Sequence, residues 1–167
     1  MVKKAPATGS AGPARGGPAP PNPSPRSSAR LGAVQALYQH VHNPDVALSG
    51  LVGQFKRYRL NKVVDGVLMA EADAEFFTEL LKGIEKRWDE LQKLVAGALS
   101  EKWSHDRLET IIKAILTAGT YELVARPDIP TAVVINEYLD IAHAFLDSKE
   151  VGFINGVLDR LAREVRS

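Results

Sequence analysis

The sequence predicts an all-α fold of six or seven helices packed as a bundle, without a sheet, behind a disordered N-terminal tail. Three observations carry this expectation. From Ser27 onward, apolar residues recur at helical spacing. No segment alternates apolar and polar residues over the length of a strand. Residues 1–26 hold seven of the ten prolines and four of the thirteen glycines, with Val2 the one aliphatic side chain besides alanine. Such a segment cannot bury enough apolar surface to offset the entropy of ordering it. The expected organisation is a basic Pro/Gly/Ala-rich tail over 1–26 and a helical domain over 27–167.

The elements follow in order. Leu31, Val34, Leu37, Tyr38 and Val41 form the first helical face, with Ser27 or Ser28 as its cap. Asn43-Pro44 stops that helix and is expected to start a second, through Val46, Leu48, Leu51, Val52 and Phe55. That helix ends in the basic cluster Lys56-Arg57-Tyr58-Arg59, where cations suit the macrodipole. Residues 60–71 read as a loop. A long helical pattern from Phe76 to Val95 breaks near Gly83 or Trp88. Asp106 and Glu109 are spaced as a capping box for the next helix, which carries Ile111, Ile112, Ile115, Leu116 and Leu123. Arg126 to Pro130 ends it. Val134, Ile135, Tyr138, Ile141, Ala142 and Phe145 share one face of the following helix, and a last helix runs from about Lys149 to Val165.

Composition narrows the function. The net charge of +1 divides into +5 over residues 1–30, which hold Lys3, Lys4, Arg15, Arg26 and Arg30 and no acid, and −4 over the rest. A basic arm on a mildly acidic body suits contact with a polyanion. The chain has no cysteine, so no thiol nucleophile, disulfide or thiolate metal site is possible. The N-terminus does not read as a signal peptide. No apolar run approaches the roughly 18 residues of a membrane span. The expected location is the cytoplasm.

Enzyme chemistry finds no foothold. No serine sits in a nucleophile elbow. His40 and His42 are two residues apart and point to different sides of a helix, while His105 and His143 are isolated. Glu71, Asp73, Glu75 and Glu79 gather at a helix start, where the dipole favours acids. Glu122 projects near an apolar face and is expected to pair with Arg126, in a structural role. No catalytic residue, cofactor or metal ligand is assigned.

Two places suit RNA. On the last helix, Ile154, Val157, Leu158, Leu161 and Val165 form the core side, and Phe153 lies at its margin beside Gly156, Arg160 and Arg163. An aromatic, a bare backbone and two cations can stack a base and neutralise phosphates. The competing reading packs Phe153 under a neighbour and uses Gly156 for close helix contact. On the first helix, Gln35 and Gln39 lie one turn apart on the polar side, and glutamine amides can read base edges. Arg26 and Arg30 stand at the entrance to that helix, where phosphates would meet its positive end. Tyr38 is on the apolar stripe, so its ring is expected mostly in the core with its hydroxyl able to reach the surface.

Three motifs carry a family resemblance. Ala29-Arg30-Leu31-Gly32-Ala33-Val34-Gln35-Ala36-Leu37-Tyr38 resembles the opening helix of the NusB transcription-antitermination family. Tyr121-Glu122-Leu123, Asp128-Ile129-Pro130 and Ile135-Asn136-Glu137 are similar to its central stretch, and Phe153-Ile154-Asn155-Gly156-Val157-Leu158-Asp159 to its closing signature. The resemblance implies two packed helical sub-bundles and no catalysis. It implies binding of boxA RNA in nascent rRNA transcripts, together with the ribosomal protein NusE and, in a larger complex, NusA, NusG and RNA polymerase. It also implies RNA contacts at Arg30, Gln35, Tyr38 and Phe153, with phosphate attraction from Arg26; a homodimer is a further possibility. Ser27 and Ser28 replace part of the family's arginine-dense stretch, and Gly152 stands where a basic residue can occur. Fewer phosphate contacts imply modest intrinsic RNA affinity and reliance on the partner. Two alternatives stay open: a non-catalytic protein adaptor, and a domain related to the NusB-like part of rRNA cytosine methyltransferases. The second is disfavoured by the missing cysteine and by the lack of a following α/β region.

Overall fold

The computed structural model describes residues 24–58, 63–64, 67–68, 72–100 and 102–166. The expected tail lies outside them up to residue 23. Seven α-helices are present among the described residues: α1 (Pro25–His42), α2 (Leu48–Tyr58), α3 (Ala74–Lys86), α4 (Trp88–Ala98), α5 (Thr110–Ala125), α6 (Thr131–Phe145) and α7 (Ser148–Val165). Between α2 and α3, β1 (Val63–Val64) and β2 (Val67–Leu68) pair antiparallel. This two-residue ladder, within the span expected to be a loop, departs from the expectation of no sheet.

Several boundaries move for local reasons. α1 begins before Ser27: the Ser24 hydroxyl accepts from Ser27 N at 3.0 Å and Pro25 fills the first turn, a pairing that proline's fixed φ favours. Asn43 closes α1 but does not cap α2, because a turn over 44–47 intervenes. α2 ends at Tyr58, and Arg59 of the basic cluster lies outside the described residues. The long pattern breaks at Arg87, between the two expected points. Asp106 forms no capping box: it belongs to a 3₁₀ turn over His105–Arg107, and α5 starts at Thr110 with Glu109 making no side-chain cap bond. The box forms instead at α7, where Asp147 accepts from Glu150 N and Glu150 accepts from Asp147 N.

The helices form two packed groups. α1, α2 and α3 pack on one another, α4 to α7 form the second group, and α1 and α3 rest on α5. α5 is central and buried on nearly every side from Ile112 to Leu123. α1 packs on α5 and α3 and buries the small side chains Ala29, Ala33 and Ala36.

Arg166 closes the end of α5. Its guanidinium donates to the carbonyls of Glu122, Leu123, Arg126 and Ile129 and to the Thr131 hydroxyl, at 2.7 to 3.2 Å. These carbonyls lie at a helix C-terminus and its following turn, where a cation suits the dipole; Glu122 O and Arg126 O also accept from Arg126 N and Ile129 N.

Gly83 shows which effect wins in a helix interior. Alanine there would gain up to about 1 kcal/mol in helix propensity. A Cβ would, however, overlap the ring and hydroxyl of the buried Tyr121. Overpacking of this kind costs about 1–3 kcal/mol. Gly83→Ala is therefore expected to lower the urea midpoint, and to become neutral or stabilising once Tyr121→Ala makes room. A loss that persists in the Tyr121→Ala background overturns this account.

Candidate nucleic-acid interface

Arg30 does not stand open at the helix entrance. Its side chain is 4% exposed, and its guanidinium donates to both Glu122 oxygens at 2.8 and 2.9 Å. A third bond reaches Glu137 at 2.7 Å, and Ser27 also donates to Glu137. The Tyr138 hydroxyl donates to Glu122, which is fully buried. Glu122 thus pairs with Arg30, not with Arg126 as its spacing suggests. Arg126 turns outward, holding Asp128 bidentately at 2.9 and 3.0 Å and Glu79 at 2.7 Å. Arg30, Arg126 and Arg26 ring Phe76, with guanidinium carbons 5.1, 5.6 and 4.9 Å from its centroid. Arg26 is half exposed, and its 3.8 Å pair with Asp73 is the longest of the ion pairs among the described residues, so an anion can compete for it.

Burial first, then the Glu122 charge and the hydrogen bond to it, push the Tyr138 hydroxyl well above its ordinary pKa of 10. Burial alone would lower that of Arg30, but the contacts with Glu122 raise it.

Gln35 and Tyr38 come together in a groove of about 680 Å³. Gln39, His42, Phe55, Ile111 and Phe145 complete most of its wall. Tyr38 is 42% exposed, which corrects the expected core placement of its ring. Leu37 takes the buried direction, and Tyr38 swings past it to meet the His42 ring edge-on at 4.6 Å. Phe145, expected on the core face, is 49% exposed: in the last turn of α6 it overhangs the groove.

Phe153 lies apart from this groove, on α7. It is half-buried, with its ring 5.1 Å from that of Trp103. A Cβ at Gly156 would meet open space, so the close-packing reading of this glycine is excluded. Arg160 and Arg163 are exposed but not free: they pair with Glu164 at 3.4 Å and Asp159 at 2.7 Å. Such i,i+4 pairs are worth a few tenths of a kcal/mol, so a phosphate can compete for them. Arg26 and Arg30 sit at the far end of α1 from the Tyr38 groove, about 12 Å along the axis from Arg30 to Tyr38 at the usual rise. The candidates therefore form separate patches.

Sequence reasoning missed Trp103, Phe145 and Arg166. A tryptophan in the polar run Lys102-Trp103-Ser104 was the signal for the first. Among the described residues no group of three or more histidines and carboxylates could hold a metal ion, and no helix is long and apolar enough to cross a membrane.

These features define an all-α protein with surface grooves and separate patches of aromatic and basic residues. The chain belongs to the NusB family, which it matches over residues 27–163. It is 43% identical over 141 residues to the transcription antitermination protein NusB of Sphingopyxis alaskensis, covering 84% of this chain and 94% of that one. The corresponding protein of Mesorhizobium japonicum is 44% identical over 144 residues, covering 84% and 90%. Among solved structures, T. maritima NusB aligns with a TM-score of 0.71 at 30% identity, over 84% of this chain and 92% of that one. A crystal structure of antitermination factors NusB and NusE in complex with dsRNA aligns at 0.68, over 84% and 97%; at 21% identity it supports the fold. The relatives are transcription antitermination proteins, and the chain is a non-catalytic antitermination factor of this kind.

Two outcomes test the buried network. Arg30→Met strands a buried carboxylate and should cost about 3–5 kcal/mol, while Arg30→Met with Glu122→Gln recovers most of it. Equal losses in the single and double variants, measured by urea unfolding, overturn the pairing. For Tyr138, the unfolded chain titrates near 10 while the folded one holds its proton to higher pH. The contribution is full below pH 10 and is lost as pH rises toward the folded value. Stability should therefore decline above pH 10 more steeply in the parent than in Tyr138→Phe; parallel pH profiles overturn the assignment.

Proposed function

We propose that this protein binds boxA RNA of nascent rRNA transcripts jointly with NusE and so supports rRNA synthesis by RNA polymerase, in a complex that also holds NusA and NusG. Its place is the cytoplasm, where transcripts emerge. The observation that carries the reading is the exposure of Tyr38 beside Gln35 in a formed groove, within a chain of the NusB family. An exposed aromatic beside amide side chains fits single-stranded RNA, whose unstacked bases present both a face and a hydrogen-bonding edge. The solved complex of NusB and NusE with dsRNA, which shares this fold, supports NusE and RNA as the partner classes.

Intrinsic affinity is modest in this reading. Arg30 is held by Glu122 and Glu137, while Arg160 and Arg163 have carboxylate partners. Each phosphate neutralised on a single strand adds about 0.7 to the salt slope, so a shallow slope is expected without NusE. A labelled boxA RNA and a scrambled control, titrated with and without NusE over a salt series, test this. Selective binding that tightens with NusE is expected, and Tyr38→Ala should weaken it by about tenfold, as for one lost stacked base. No selectivity with NusE present overturns the reading and leaves a protein–protein adaptor.

A further inference from the structure

We propose that Trp103, in the loop between α4 and α5, is a base-stacking platform for single-stranded RNA, backed by Phe153 and flanked by the cations Lys102 and Arg107. The inference rests on the RNA reading above and deepens it. Trp103 is 47% exposed in an otherwise polar loop. Tryptophan is highly buried on average, so an indole left this open has surplus stacking surface.

The loop holds the ring in place. Trp103 N donates to Ser100 O at 3.0 Å, and Arg107 N to Ser104 O at 3.0 Å. His105 Nε2 is 2.7 Å from Gln92 Oε1, which ties the loop to α4, and Leu108 is buried just beyond. An aromatic fixed in advance loses little entropy when a base lands on it.

Ring geometry decides which aromatic meets the base. The Trp103 and Phe153 centroids are 5.1 Å apart and their planes are tilted by 47°. A base lying between them would need two van der Waals layers, about 7 Å. No base fits between the rings. Phe153 is half-buried and supports one side of Trp103, whose remaining surface is open. Phe153 therefore acts mainly by positioning the indole.

The charges agree. Lys102 and Arg107 are exposed, and neither forms an ion pair among the described residues. They differ in this from Arg160 and Arg163. Asp106 and Glu109 share the loop, but an exposed aromatic next to Lys102 in sequence, with Arg107 four residues on, suits a strand whose bases stack while its phosphates are neutralised.

The test uses the full chain with NusE and the labelled boxA RNA. Trp103→Ala should weaken binding by about tenfold and Trp103→Phe should recover most of it. Lys102→Ala should reduce the salt slope by about 0.7. In a Trp88→Phe background, the remaining indole emission should change when RNA is added. Circular dichroism spectra should match the parent, since Trp103 lies outside the helices. If the parent binds RNA and Trp103→Ala binds equally well, this inference alone falls. Loss of NusE affinity in Trp103→Ala, with RNA affinity intact, also overturns it, because the surface then docks protein. If the parent binds no RNA, the functional reading fails and this inference fails with it.

Discussion

The buried carboxylate of Glu122 organises the molecule. It sits on α5, accepts two bonds from Arg30 on α1 and one from Tyr138 on α6, and so joins three helices at one point. An unpaired carboxylate in that position would be far costlier than any single apolar contact is favourable. The requirement to satisfy it fixes the rotation of α1 and α6 about α5. Apolar packing alone tolerates several rotations of a helix face; a bidentate arginine pair tolerates few. The position of Tyr38 on the surface follows from this, because the rotation that aims Arg30 inward also sets where the next two turns of α1 point.

Charge is used in this protein mainly within the fold. Arg30, Arg126 and Arg166 each serve internal acceptors, and Arg126 and Arg166 both act at the turn after α5. Lys102 and Arg107, in the loop before α5, are among the cations that form no ion pair among the described residues. The division separates arginines that hold the architecture from those free to meet something else.

Much of the fold was legible in the sequence because α3, α4, α6 and α7 each bury one face and so write a clear period into the chain. The start of α1 was less so: Ser24-Pro25 is a good helix start, but it lies in a proline-rich run that reads as tail. The sequence places Glu122 near an apolar face, yet its partner lies 92 residues away, and helical spacing offers the nearer Arg126 instead. Periodicity reports a residue's side of a helix but not the ends at which faces open, which is why Tyr38 and Phe145 were both assigned to the core. Phe153 was legible as a margin residue and through its motif, while Trp103 lies outside every motif and its placement depends on tertiary contact.

The Arg163–Asp159 and Arg160–Glu164 pairs have a kinetic consequence. Each cation carries its own tethered counter-ion, so the outer flank of α7 projects little net field into solution. A polyanion approaching this side is not steered toward it. Its encounter rate there lies near the roughly 10⁵–10⁶ M⁻¹s⁻¹ of uncharged surfaces and changes little with ionic strength. Any discrimination between ligands on this flank then resides in how long each one stays.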